Sequence, residues 1–298
     1  MNKKDWLLAR QTGIGGSDAA AVLGLSKYRT PYDVFIDKTT EPEEISLTPA
    51  MRAGIKLESV VAEYYAEESG NKVINSNKIL KHKKIPFLIG NVDRIILSPK
   101  GRGILECKTT SSYYVKTWKD EIPIEYYCQL QHYLNVTGYN YGVVAVLIDG
   151  REFKYFEYVR DEEFISLMTE KLIIFWVNNI QKNIPPEPIN SEDIVKMYPI
   201  SNGQAIEATN ETYFIYERLK ELKTKSKELD EEIKKLEESI KLTFGENDTL
   251  MKNGQILATY RNINSSWLFD KKRFEKENNE LYNKYLIEGK PQRRLTLK

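Results

Sequence analysis

Hydrophobic positions recur with a helical period in the first 70 residues of this 298-residue chain and with a strand-like period after residue 73. A short helix capped by Ser17 or Asp18 is predicted to end at Gly24, and the Thr30-Pro31 pair should open a second helix. A third helix should run from Pro49 to about Gly70. Its apolar residues share one face, and they are Leu57, Val60, Val61, Tyr64 and Tyr65.

Three short runs rich in Ile, Leu and Val follow, and they predict an antiparallel meander. The runs are KILKHKKIPFLIG (78–90), NVDRIILSP (91–99) and RGILECKTT (102–110). A helix is expected from Pro123 to Gly138, and then a hairpin joined by Asp149-Gly150. A further helix ends before the IPPEP break. This order predicts an α/β (α+β) fold with a mixed sheet flanked by helices.

The composition changes beyond residue 190, which predicts a domain over 1–190 and a C-terminal extension over 191–298. The extension should contain a coiled-coil-like helix over 211–244, a small hairpin near 250–260 and a last helix over 270–286. The apolar seam of the long helix comprises Leu219, Leu222, Leu229, Ile233, Leu236 and Ile240. The helix could dock on its own chain, bind a partner or join subunits.

Overall charge and cysteine content narrow the functional classes. The 44 Lys and Arg residues nearly balance 43 Asp and Glu residues, so any nucleic-acid surface must be local. Two cysteines cannot supply an iron–sulfur cluster or an all-cysteine zinc site. No signal peptide or membrane-spanning run is recognisable, which favours a reducing cytoplasm. Because the cysteines are too few to form a metal site, a bound metal would take carboxylate and carbonyl ligands, as magnesium or manganese does.

The run GILECKTT carries the strongest chemical signal. Glu106 and Lys108 lie two positions apart on a predicted strand, so their side chains share a face. Asp93 interrupts the neighbouring apolar run and would lie beside Glu106, where two carboxylates repel unless a cation neutralises them. The carbonyl of Cys107 could join such a cation, and Lys108 could orient or deprotonate the attacking water. The alternative is a partly exposed strand with ordinary ion pairs.

The wider set of residues resembles a known superfamily. Glu58, Asp93, the ECK tripeptide at 106–108 and Gln129 stand in the order typical of PD-(D/E)XK nucleases. The opening GIGGSDAAAVLGLSKYRTPYDVF (13–35) is similar to the signature of the YqaJ-type viral recombinase branch, which includes phage lambda exonuclease. The resemblance spans about residues 5–190 and implies a restriction-endonuclease-like core.

The resemblance also implies roles in catalysis and metal binding. The residues concerned are Asp93, Glu106, the backbone carbonyl of Cys107, Lys108, Glu58 and Gln129. Asp93 and Glu106 match metal-binding acids, and Lys108 matches the catalytic lysine. Glu58 would complete a site for two Mg²⁺ ions, for which Mn²⁺ could substitute. Gln129 would hold the water or the lysine.

A second group of residues is implied in binding DNA. Arg10 and Ser17 match positions that grip a terminal 5′ phosphate, and a glycine-rich turn before a helix is a natural anion site. The alternative interpretation of this turn is a capping serine alone. Asn91 stands where relatives carry a small hydroxyl residue near the phosphate. Lys27 and Arg29 could contact the DNA backbone.

These features together predict a magnesium-dependent exonuclease that degrades linear duplex DNA from the 5′ end and leaves a 3′ single strand for recombination by annealing. The resemblance implies a homotrimeric ring, a single-strand annealing protein as partner and a phage or prophage gene expressed in bacterial cytoplasm. One alternative is a structure-specific or nicking endonuclease of the same fold. Another is a non-catalytic DNA-binding or assembly module.

Overall fold

The computed structural model describes residues 3–42, 46–76, 78–263, 267–289 and 293–298. The chain divides into two units, Met1–Met197 and Tyr198–Lys298. Within the described ranges, no helix combines the length and the apolar character that crossing a membrane requires.

A five-stranded mixed sheet organises the first unit, with the strand order β1-β4-β5-β6-β7. Its strands are β1 (Lys72–Asn75), β4 (Arg94–Ser98), β5 (Gly101–Thr110), β6 (Tyr141–Ile148) and β7 (Glu152–Val159). The β5–β6 pair is parallel and the other pairs are antiparallel. The hairpin between β6 and β7 turns at Asp149 and Gly150, whose φ angles are 49° and 68°. This mixed sheet with flanking helices is the predicted fold class.

Helices pack on both faces of the sheet. The helices of the first unit are α1 (Lys3–Gln11), α2 (Gly16–Val22), α3 (Pro31–Thr39), α4 (Pro49–Ser69), α5 (Ile124–Thr137), α6 (Glu162–Phe175) and α7 (Ser191–Met197), and α4 and α5 pack directly on the sheet. A 3₁₀ helix (Ser112–Trp118) precedes α5, and a π-helical segment (Trp176–Gln181) extends α6. The sequence signals act as expected: the hydroxyls of Thr30 and Thr48 cap α3 and α4, and left-handed Gly70 and Gly138 follow α4 and α5.

The alternation of residues along β5 separates the two sides of the core. Leu105 and Cys107 pack with α4 residues such as Val61 and Tyr65. Ile104 packs in the other cluster, with residues of α2, α5 and α6. Even-numbered residues of β5 therefore face α5. The next two even-numbered residues after Ile104 are Glu106 and Lys108, so both side chains lie on this same face.

One predicted strand of the meander is wrong. The run 78–90 does not join the main sheet but forms a small hairpin of β2 (Leu80–Lys81) and β3 (Ile89–Gly90). Four consecutive basic residues and Pro86 interrupt the apolar pattern there, so the run cannot continue as one strand. The shorter run Lys72–Asn75 instead pairs with β4 as the edge strand.

The first unit extends past the predicted boundary at residue 190. Asp193 of α7 is fully buried and accepts a 2.8 Å hydrogen bond from the Thr30 hydroxyl. Lys196 forms a 2.5 Å ion pair with Asp33 of α3. These contacts attach α7 to the helices of the first unit.

In the described residues of the second unit, the structure has one long helix, a hairpin and two short helices. These elements are α8 (Asn210–Phe244), β8 (Thr249–Lys252), β9 (Gln255–Thr259), α9 (Lys271–Glu277) and α10 (Asn279–Lys284). The expected single helix over 270–286 is interrupted at Asn278, whose φ and ψ of −135° and 49° are not helical. Asn has a low helix propensity and caps helices well, which fits a break at this position.

Candidate active site

Glu106 is the centre of a buried polar network on β5. Glu106 is only 2% exposed, and its Oε1 atom accepts hydrogen bonds from two donors. Lys108 Nζ lies 2.7 Å away, as expected for two residues on one face of a strand, and Gln129 Nε2 lies 2.6 Å away. A buried carboxylate held by two such donors has a fixed orientation.

Gln129 on α5 completes this network. Its amide oxygen accepts a 3.1 Å hydrogen bond from Lys108 Nζ, while its amide nitrogen donates to Glu106 and, at 3.1 Å, to the Tyr133 hydroxyl. Tyr133 lies one turn further along the same helix, so the two side chains share a face. The amide therefore holds the acid and the lysine at once.

Asp93 lies immediately before β4 rather than within a strand, which corrects the expected mid-strand position. Arg94 pairs with Leu105, so Asp93 stands at the point where the ladder with β5 stops. Its Oδ2 atom accepts the Cys107 N–H at 2.8 Å and so takes the place of a backbone acceptor. Burial, and then the nearby Glu106 carboxylate, raise the pKa of Asp93 well above its usual value.

Lys108 is held by acids on one side and by an aromatic ring on the other. Burial lowers its pKa, but the Glu106 and Asp93 carboxylates outweigh burial, and the net shift is upward. Its Nζ atom also lies 4.6 Å from the centre of the Tyr126 ring, within the range of a cation–π contact. The lysine is therefore kept charged and in one position.

The residues present at this site fit a divalent cation. Among the described residues, Glu106 Oε2 is buried and has no hydrogen-bond partner. This unpaired carboxylate oxygen, beside a second carboxylate whose charged form is disfavoured, is chemistry that a cation with oxygen ligands would complete. In the described part of the chain, however, no three His, Cys, Asp or Glu side chains converge as a ligand set.

Glu58 does not join Asp93 and Glu106 in this structure. It forms a 2.5 Å ion pair with Arg94, the residue that follows Asp93. Arg94 also donates to the Asp93 carbonyl at 2.7 Å, so it stands between the two acidic positions. The family resemblance implies a second metal site at Glu58, and in this structure the residue is paired with Arg94.

A cavity of about 170 Å³ lies above the carboxylates and extends to the N-terminal segment. Its walls include six residues predicted from the sequence, which are Arg10, Ser17, Asn91, Asp93, Glu106 and Gln129. Gly15, Gly16 and Tyr133 also contribute to it. The predicted metal end and the predicted phosphate end therefore open into one space.

The start of α2 is held tightly against the network. A Cβ atom added to Gly16 would lie 2.6 Å from Tyr133 Cε1 and 2.8 Å from Gln129 Cγ, so only glycine allows this approach. The Arg10 guanidinium reaches the Ser17 hydroxyl at 3.4 Å. Packing at Gly16 thus fixes the position of the neighbouring Ser17, which borders the cavity.

A buried acid in the first turn of α2, Asp18, pairs with the surrounding basic side chains. Asp18 is 2% exposed, accepts the Gly15 N–H at 3.0 Å, and pairs with Lys38 at 2.7 Å and Arg29 at 2.8 Å. Burial by itself would raise the pKa of Asp18, but Lys38 and Arg29 bring it well below the usual range. Lys38 also donates to the Arg10 carbonyl at 2.8 Å and so ties α3 to α1.

The remaining predicted DNA contacts divide into two groups. Lys27 is exposed, as a contact with the DNA backbone requires. Arg29, in contrast, is paired with the buried Asp18 and with the exposed Asp37, so two carboxylates already engage its guanidinium. We therefore assign Arg29 a structural role in place of the predicted DNA contact.

Two residues of the site were missed by sequence reasoning. Tyr133 was not predicted, although its position four residues after Gln129 on an amphipathic helix is the signal that could have identified it. Tyr126 carries no local sequence signal for a role here, because its contact with Lys108 depends on tertiary structure. The Cys107 thiol has no part in the network, since it packs toward α4 and burial raises its pKa.

Comparisons with known proteins agree with this geometry. A family model described as the YqaJ-like viral recombinase domain matches residues 5–140. The chain is 39% identical over 244 residues to the uncharacterized protein YqaJ of Bacillus subtilis (strain 168), and the match covers 76% of each chain. Both comparisons confirm the predicted family resemblance.

Solved structures show the same fold. An alkaline exonuclease (LHK-Exo) from Laribacter hongkongensis matches with a TM-score of 0.53 and 21% identity, over 61% of this chain and 94% of that one. The LHK-Exo complex with dAMP matches with the same TM-score and identity, over 65% and 97% of the two chains. At this level of identity the match shows a shared fold, which is the predicted nuclease-like core.

Proposed function

The chain belongs to the family of YqaJ-like viral recombinase domains, and from this premise we propose that it is a metal-dependent DNA exonuclease. The observation that carries the proposal is the single cavity lined by Asp93, Glu106 and Gln129 at one end and by Arg10 and Ser17 at the other. An enzyme that removes nucleotides from a DNA end needs both a hydrolytic centre and a site for the terminal phosphate.

Asp93, Glu106 and the carbonyl of Cys107 would hold the ion, and their oxygen chemistry suits Mg²⁺, with Mn²⁺ as a substitute. When bound, such an ion supplies positive charge to the scissile phosphate and lowers the pKa of water. Glu58 could contribute to a second ion only after leaving Arg94.

Lys108 and Gln129 would act on the attacking water and on the phosphate. The Lys108 ammonium is fixed by Glu106, Gln129 and the Tyr126 ring, so its remaining proton can be donated in one direction. A donor that is already oriented stabilises the charge that develops on phosphate oxygens without reorganising.

We propose that the enzyme degrades from the 5′ end. Arg10, Ser17 and Asn91 offer guanidinium, hydroxyl and amide donors on the cavity wall, and these can hold a terminal phosphate. The exposed Lys27 would contact the duplex backbone. The structure of LHK-Exo in complex with dAMP indicates that a cavity in this fold can accept a mononucleotide.

The wider biological setting is also part of the proposal. The family resemblance supports a homotrimeric ring around DNA, a 3′ single-stranded product and transfer of that strand to an annealing protein during phage-type recombination. A ring would let a chain of nearly neutral charge hold DNA, since a small basic patch would be repeated around the channel.

A direct assay tests these claims. Linear duplex DNA with or without a 5′ phosphate, and closed circular DNA, are incubated with the protein and Mg²⁺ or a chelator. We expect progressive loss of linear DNA, faster with the 5′ phosphate and absent with the chelator. Lys108→Ala should abolish the activity.

Three outcomes would contradict the proposal. Nicked circles would indicate an endonuclease of the same fold, and the absence of Mg²⁺-dependent degradation would indicate a non-catalytic module. Full activity of Lys108→Ala would show that the catalytic assignment is wrong, because the network in the cavity would then be structural.

A further inference from the structure

The long helix α8 of the second unit carries an exposed apolar stripe. It spans 35 residues, or about 50 Å at 1.5 Å per residue. Five of its apolar side chains remain 46–59% exposed, and these are Leu222, Leu229, Ile233, Leu236 and Ile240. An exposed stripe of this length on a charged helix is typical of a helix that pairs with another helix.

The stripe follows the heptad pattern of a coiled coil. With Ile233 and Ile240 at the a positions, the d positions hold Leu222, Leu229 and Leu236. The other two a positions hold Leu219 and Ser226, and the neighbouring e and g positions are mostly charged, so the apolar stripe has the narrow width by which one helix packs along one other helix. The occupant of the stripe is therefore a single helix.

The charges on α8 are separated along its length. Residues 216–227 contain five Lys or Arg against two Glu, whereas residues 228–238 contain six Asp or Glu against two Lys. A second copy of the same helix matches this pattern only when it runs in the opposite direction, so that each basic half lies along an acidic half.

The positions beside the seam decide the orientation. In a parallel pair Arg218 would face Lys223 and Glu232 would face Glu237, because each g position lies near the e position five residues later in the partner. Both contacts join like charges, and they outnumber the one attractive contact of this kind, between Lys225 and Asp230. A parallel pair or a parallel bundle is therefore disfavoured by the residues that normally set orientation.

In an antiparallel pair the same positions are complementary. When Leu222 of one helix packs beside Ile233 of the other, Lys225 faces Glu232 and Lys223 faces Asp230. The two-fold axis repeats each contact, which gives four attractive pairs. The seam layers in this register are Leu219 with Leu236, Leu222 with Ile233, and Ser226 with Leu229.

We propose that α8 joins two copies of this chain as an antiparallel coiled coil, with the basic half of each helix along the acidic half of the other. The contact uses the second unit only and does not depend on the proposed nuclease activity. It is compatible with a ring of three, because two rings linked through their α8 helices would contain six subunits. The assembly therefore holds an even number of chains.

The mass of the full chain in solution, measured by light scattering and native mass spectrometry at micromolar concentration, tests the proposal. We expect two or six subunits for the wild type and half that number for Leu229→Glu, which places a charge in the seam. A wild type of one or three subunits, or an unchanged mass for Leu229→Glu, would overturn the proposal.

Charge exchange tests the orientation. E232K and K225E each place like charges opposite one another in the antiparallel pair, and each should weaken the association roughly tenfold. The double variant K225E/E232K should restore it. A parallel pair predicts the opposite for E232K, which would then face Glu237 and associate more tightly.

Matched controls lie on the outer face of the same helix. K227E and E228K make the same charge changes at positions away from the seam, and both should associate as the wild type does. Circular dichroism of each variant reports helix content, so a loss of association through unfolding is distinguished from a loss through repulsion. If K227E weakens association as much as K225E, net charge and not register is responsible, and the proposal fails.

Discussion

Removing the hydroxyl of Tyr133 should slow the proposed nuclease without unfolding it. The hydroxyl accepts the Gln129 amide at 3.1 Å and borders the cavity, while the ring lies against Gly16. Tyr133→Phe deletes one oxygen atom and keeps the ring. The amide of Gln129 then loses one of the two acceptors that fix its orientation between Glu106 and Lys108.

The expected magnitudes follow from this single contact. One buried hydrogen bond contributes about 1 kcal/mol to the free energy of unfolding, which corresponds to roughly 2–4 °C in Tm for a domain of this size. The loss of activity should be larger than the loss of stability, because removing a group that orients the ligands of a metal site typically lowers activity about 10–100-fold. We expect kcat to fall roughly tenfold with little change in KM, since the residues facing the terminal phosphate are unchanged.

A matched variant on the same helix controls for stability. Tyr127 also has a hydroxyl hydrogen bond, a 2.8 Å contact with Asp161, but it lies outside the cavity. Tyr127→Phe should lower Tm by a similar amount and leave kcat unchanged. Equal losses of kcat in the two variants, or normal turnover by Tyr133→Phe, would refute the claim that the hydroxyl positions the catalytic network.

Three further changes test other parts of the site. Gly16→Ala should lower the free energy of unfolding by about 1–3 kcal/mol in denaturant titrations because its Cβ would overlap Tyr133, and wild-type stability would contradict the tight packing. Lys38→Met should lower Tm at neutral pH, because Asp18 loses an ion-pair partner. The difference in Tm from the wild type should shrink below about pH 4, where Asp18 begins to be protonated in the unfolded state and the stability provided by its lowered pKa declines. A difference in Tm that does not change with pH would rule out the ion pair as its cause. Cys107→Ala should keep full nuclease activity, because the thiol packs toward α4 and away from the carboxylate network, and inactivation would implicate the thiol.

Local rules predicted the parts of the molecule that depend on neighbours in sequence. The two-residue period of β5 placed Glu106 and Lys108 on one face, and the caps at Thr30 and Thr48 fixed where helices begin. The dipeptide Asp149-Gly150 marked its hairpin correctly. In each case the responsible interaction lies within a few residues, so the sequence pattern carries the information directly.

Features that depend on distant contacts were not predictable in this way. Asp93 lies outside β4 because its carboxylate takes the Cys107 N–H from the neighbouring strand. Arg29 is directed inward because Asp18 and Asp37, on two different helices, converge on it. Glu58 on α4 meets Arg94 on β4. A pattern of residue types cannot show which of several charged partners will be nearest after folding.

The position of α5 explains how the two ends of the cavity are kept at a constant separation. Gln129 and Tyr133 lie one turn apart on α5 and contact both the carboxylate network and the glycine that begins α2. Ser17, beside that glycine, is therefore fixed relative to Glu106 through packed helices and not through a loop. Removal of one terminal nucleotide requires the gripped phosphate and the scissile phosphate to be held at a set distance. In the proposed mechanism, the contact between α2 and α5 sets that distance, so a change at Gly16 should disturb where the enzyme cuts as well as how fast.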